Sequence, residues 1–91
     1  RFRDRVQFAA DGLAFGRILY QHDARFGQLA RRAGLAIDHA AAVAFLQAHQ
    51  AELDAIQARY PADSPYWPPL VARYFRVNVA QLIKSHTEAI R

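Results

Sequence analysis

The sequence predicts an all-α protein, a small bundle of three to four helices, on three observations. Between Asp38 and Tyr60, the residues His39, Ala42, Leu46, His49, Leu53, Ile56 and Tyr60 recur at alternating steps of three and four, the repeat of a single helix face. A second broad face of the same kind runs from Val71 to Ala89. Strong punctuation falls only at Asp11-Gly12, near Gly34 and from Pro61 to Pro69, which leaves long uninterrupted patterns between. With 91 residues, 53 % of them hydrophobic, the chain suffices for one core and not for two. Residues 1–91 therefore read as a single helical domain. The chain starts at Arg1, contains no Met and shows no basic-then-apolar leader, which reads as a domain excised from a longer protein.

The first twenty residues admit two readings. As a helix they set Phe2, Val6, Ala9, Ala10, Leu13 and Arg17 on one side, and burial of that face offsets the roughly 1 kcal/mol that Gly12 and Gly16 each cost relative to Ala. The alternative is an α+β fold with an N-terminal hairpin, in which Val6-Gln7-Phe8 and Leu13-Ala14-Phe15 flank Asp11-Gly12, a preferred pair for a type I′ turn. Helix is the favoured reading, and a shorter helix from Asp23 to Ala33 follows it. The long central helix spans about 38–60, with Asp38 as its cap, Pro61 as its stop, and Gln47, Gln50, Glu52, Asp54 and Gln57 on its polar side. In the connector ADSPYWPPL, Asp63 or Ser64 is a cap candidate and Pro69 suits a first helical turn. A long C-terminal helix of about 69–90 carries Val71, Phe75, Asn78, Leu82, Ser85, His86 and Ala89 on one face. The alternation Phe75, Val77, Val79 offers a short strand as a rival.

The stretch Phe26 to Leu46, FGQLARRAGLAIDHAAAVAFL, spaces small and apolar residues as two helices crossing at a tight turn require. Ala30 lies four residues before Gly34, Leu29 and Leu35 flank the crossing, and Val43 falls where the second helix faces inward. Over about twenty residues the segment resembles a helix-turn-helix. That resemblance implies duplex DNA binding, with Arg25, Arg31 and Arg32 on phosphates and His39 near the groove. The would-be recognition helix reads DHAAAVAF, a composition with few groups for base edges.

Charge is unevenly spread. Residues 1–34 carry seven Arg against Asp4, Asp11 and Asp23, residues 35–63 carry Arg59 against four carboxylates, and residues 64–91 are basic again. Basic flanks around an acidic middle suit neutralisation between helices or an anionic partner. Zero Cys removes disulfides, thiolate ligands and a Cys nucleophile. Ser85 and His86 are neighbours on a helix and diverge too far to act as a dyad, no glycine-rich phosphate loop is present, and Glu52 and Asp54 read as solvated face. No enzyme activity is expected. The histidines 22, 39, 49 and 86 lack the local spacing of a metal site, so no metal and no cofactor is expected, although His39, His49 and His86 all fall on apolar faces that a bundle core would bring together.

Two features point to a partner. Tyr66, Trp67, Tyr74 and Phe75 surround the Pro-rich connector, and aromatic side chains of this kind anchor interfaces. Asn78 is a polar residue within the apolar face of the last helix, where a buried Asn fixes register or oligomer state. The expected function is a non-catalytic helical protein-interaction or dimerisation module, whose partner is another protein or a second copy of itself. The alternative is a DNA-binding domain. No apolar run reaches the roughly 18 residues of a membrane span, and the cytoplasm is the default compartment.

Overall fold

The computed structural model describes the backbone of residues 2–63 and 66–91, with side chains for 4–63, 66–68 and 70–91. It is all-α, with five helical segments and no strand among the described residues. The chain forms two compact units, Arg1–Asp38 and His39–Arg91. Ser64 lies outside the described residues, and so does the side chain of Phe2.

The first unit is built on α1 (Phe2–Phe26), followed by the one-turn α2 (Gln28–Arg32). Asp11-Gly12 does not turn the chain. It sits within α1, where Gln7 Nε2 donates to Asp11 Oδ1 at 2.9 Å, a contact one helical turn long that a hairpin would remove. Asp11 is 3 % exposed and shares its face with buried Phe15, Ile18, His22 and Phe26. The helical reading is right and its choice of face is not: Val6 and Leu13 lie on the opposite side, exposed. Two large phenylalanines on the other face outweigh the presence there of Asp11 and His22, whose polar groups find partners.

The helix expected from Asp23 to Ala33 is divided at Gly27. Gly27 N–H still donates to the Asp23 carbonyl at 3.0 Å, but the next amide, Gln28 N–H, goes to Asp23 Oδ1 at 2.8 Å. A short acidic side chain thus competes with the backbone for a helical hydrogen bond and starts a new helix. The approach leaves no room for a Cβ at Gly27, which would stand 2.9 Å from Asp23 Cα and collide with Oδ1. α2 closes at Gly34, the one positive-φ residue described (φ 79°). Leu35 N–H reaches back to Ala30 O and Gly34 N–H to Arg31 O, both at 3.0 Å. This pair of bonds is the Schellman motif, and it explains the Ala30–Gly34 spacing.

The second unit contains α3 (His39–Ala58), α4 (Pro69–Tyr74) and α5 (Val79–Ile90), with α3 and α5 packed together. α3 buries Ala42, Leu46, Leu53 and Ile56, and the stripe ends at buried Tyr60. Pro69 occupies the first turn of α4. The segment 69–90 is helical as expected except at 75–78. There Arg76 N–H donates to Arg73 O at 3.0 Å, Gln57 Nε2 on α3 donates to both Phe75 O (2.8 Å) and Val77 O (2.6 Å), and Asn78 Oδ1 accepts from Gln81 N–H at 2.9 Å. Asn78 is therefore an exposed N-cap and not a buried register-fixing residue, while Gln57 takes up two carbonyls that the interruption frees. No described helix is long and apolar enough to cross a membrane.

Candidate functional site

The outward side of α1 carries Val6, Leu13 and Tyr20, which are 53 %, 70 % and 65 % exposed. Each is seven residues from the next, close to two helical turns, so the three form one line about half a turn round from the buried face. Between them stand Ala9 and Gly16, whose small size lets another helix axis come near. Arg5 and Asp23 lie on one flank of this line, towards opposite ends of the helix. Scattered apolar residues on a surface are ordinary, but an aligned row is the pattern of a helix–helix seam.

The aromatic residues singled out from sequence come together around Tyr60. Tyr60 stacks on Phe75 at 4.4 Å and 16°, Trp67 tilts against Tyr60 at 5.1 Å, and Tyr66 and Tyr74 meet Trp67 and Phe75 edge-on, each at 5.0 Å. Phe75 is buried, Trp67 half-buried, and Tyr66 and Tyr74 exposed. The cluster thus fastens the connector to the end of α3 and leaves two tyrosines at its margin. Beside it opens a groove of about 740 Å³. Asp54 and Arg76 give its lining opposite charges, Gln50 and Asn78 give it amides, and the Gln57 amide nitrogen is already engaged by the two carbonyls.

The residues expected to meet DNA do not gather on one surface of one element. Arg25 lies over the Phe26 ring at 4.7 Å, and Arg31 and Arg32 occupy the last turn of α2, where cations complement the helix C-terminus. His39 belongs to the second unit, and its Nδ1 is 2.8 Å from Nδ1 of His86.

The histidines separate into three environments. His22 is 7 % exposed, with its ring 6.1 Å from that of Phe26. Burial holds its imidazole below the ordinary value, and the neighbouring Asp23 carboxylate opposes that shift in part. His49 faces Phe45, with ring centroids at 4.6 Å, and Glu52 Oε1 at 3.8 Å. His39 and His86 form the close pair, so the structure unites two of the three histidines that the apolar faces suggested. Sequence reasoning missed the outward line on α1; its signal was the seven-residue repeat of Val6, Leu13 and Tyr20. No protein-family model matches this chain, and no curated protein or solved structure matches it either.

Proposed function

We propose that this chain is a non-catalytic helical module that associates with a second copy of itself through α1. The observation that carries the reading is the line Val6, Leu13, Tyr20, three large apolar side chains more than half exposed on the side of α1 opposite its buried face. A row of this kind gains stability when covered, because each fully buried side chain contributes about 1.5–3 kcal/mol. The row is also self-complementary. A two-fold axis at Leu13, with the helices antiparallel, sets Val6 of one copy against Tyr20 of the other and Leu13 against Leu13. Ala9 and Gly16 then admit close approach, and Arg5 of one copy lies on the flank that carries Asp23 of the other, a complementary pairing of charge made twice by symmetry. The polar residues on the exposed side of α3 are Gln47, Glu52 and Asp54 among alanines, one amide and two carboxylates, and the carboxylates are repelled by phosphate, so the helix offers little for reading base edges.

The test is the mass in solution as a function of concentration, by light scattering or sedimentation. The expected species is twice the 10.3 kDa of the chain, and Leu13→Arg converts it to a monomer with an unchanged helical dichroism spectrum, since Leu13 makes no contribution to the buried face. A wild-type protein that stays monomeric at high concentration, or a Leu13→Arg variant of unchanged mass, overturns the reading.

A further inference from the structure

We propose that His39 and His86 form an exchangeable site for a divalent transition-metal ion of the imidazole-preferring class, zinc or nickel(II). The two residues are 47 positions apart in the chain, and the packing of α3 on α5 brings their Nδ1 atoms to 2.8 Å with ring centroids at 5.1 Å and planes at 45°. At that distance one Nδ1 carries a hydrogen and the other presents its lone pair to it. The pair is therefore two imidazole nitrogens converging on one point, held together by a proton at that point. A metal ion takes the proton's place.

The geometry needs little adjustment. Zinc binds histidine nitrogen at about 2.0–2.1 Å, so two nitrogens in a tetrahedral arrangement stand about 3.3 Å apart. The rings must part by about half an ångström, which small side-chain rotations supply, and His39 is the first residue of α3, where one neighbouring turn is absent. His86 is 6 % exposed, while His39 is only half-buried, so the open side of the site admits water. Solvent completes the coordination, because no group of three His, Cys, Asp or Glu side chains converges among the described residues. This is the ligand set of a labile site and not of a closed structural one. Imidazole ligation places zinc, nickel and copper ahead of magnesium and calcium. His49, the third histidine of the second unit, faces Phe45 and Glu52 instead and is not a ligand.

Each ligand binds as a neutral imidazole with its hydrogen on Nε2, so the ring that carries the Nδ1 hydrogen exchanges it for one on Nε2 with no net proton release, and metal uptake weakens in acid, where protons compete for the same nitrogens. Bound metal ties α3 to α5 and raises the unfolding midpoint, by an amount that grows with the logarithm of free metal concentration above the dissociation constant.

The test is a titration of the metal-free protein with Zn²⁺, and separately Ni²⁺, by calorimetry, with histidine ring resonances followed by NMR on the unmodified chain in the titration with diamagnetic Zn²⁺. The expected result is one ion per chain, with shifts confined to the rings of His39 and His86. His39→Ala, at a half-buried helix start that tolerates it, lowers the affinity by at least about tenfold, equal to about 1.4 kcal/mol, and His49→Ala leaves it unchanged. His86→Gln repeats the loss, and the NMR shifts of the unmodified chain stand independently of whether that variant folds. Absence of binding, binding that survives His39→Ala, or shifts that move to His22 or His49 each overturns the proposal.

Discussion

Gly27 leaves no room for a side chain, and replacing it by Ala tests how α2 is started. Its φ of −118° is open to any residue, so the cost of a side chain there is contact and not conformation. The new Cβ meets Asp23 Oδ1 and stands 2.9 Å from Asp23 Cα. To make room, the carboxylate swings away from Gln28 N–H and surrenders the 2.8 Å bond. Hydrogen bonds to charged groups contribute about 1.5–3 kcal/mol, and the lower end applies to this exposed position. The residual crowding against Cα adds to the loss, while Ala restricts the unfolded chain and returns about 0.4–1 kcal/mol. The net expectation is a destabilisation of about 1–2 kcal/mol. Asp23→Ala loses the same bond and costs about 0.5–2 kcal/mol, as removal of a capping side chain does. Both variants forfeit one shared interaction, so the double variant falls short of their sum by about 1 kcal/mol. Urea unfolding of the four proteins, followed by far-ultraviolet circular dichroism, measures the cycle. Additivity to within about 0.3–0.5 kcal/mol, or a Gly27→Ala protein as stable as its parent, refutes the account.

Two further perturbations probe the second unit and the buried histidine of the first. Gln57→Leu removes the donors to Phe75 O and Val77 O; at about 1 kcal/mol each the loss is about 2 kcal/mol. Thermal unfolding then shifts down by about 8–16 °C at about 4–8 °C per kcal/mol, whereas Gln47→Leu on the exposed side of α3 stays within about 0.5 kcal/mol. A Gln57→Leu midpoint equal to that of Gln47→Leu refutes the role. For His22, burial lowers the folded pKa below that of the unfolded chain, so the unfolded state takes up the proton first. Stability from neutral His22 is complete above about pH 6.5 and is lost as the pH falls from there through the folded value. Urea midpoints measured across that range decline on acidification in the parent and decline less in His22→Phe; parallel curves contradict the assignment.

What the sequence made legible follows from where the relevant physics is local. The α3 stripe is read from residues on one helix, and Ala42, Leu46, Leu53 and Ile56 are buried as their spacing requires. Ala30 and Gly34 encode a turn through a left-handed glycine, and that turn is present. The buried face of α1 is not the one its apolar residues suggest, because Val6, Ala9, Ala10 and Leu13 form the cleaner apolar list while the buried line contains Asp11 and His22. A carboxylate bonded by Gln7 one turn away is tolerated inside, and no hydropathy pattern discloses that bond in advance. The candidate seam on α1 was thus visible as residues and invisible as a surface. The approach of His39 to His86 spans 47 positions and depends on how two helices pack, which periodicity on either helix leaves open.

The tie from Gln57 to residues 75 and 77 has a consequence for how much of the C-terminal arm's shape resides in the arm. A peptide cut to residues 69–91 retains the Asn78 cap but lacks the donor group that occupies two of its carbonyls. Half of the instruction for the bend is therefore written some eighteen residues upstream, on another helix. Without it, the interruption at 75–78 rests on the Asn78 cap alone, and the apolar repeat from Val71 to Ala89 competes with that cap in favour of a continuous helix. The bend is a message in two parts, legible only when α3 is present to supply its share.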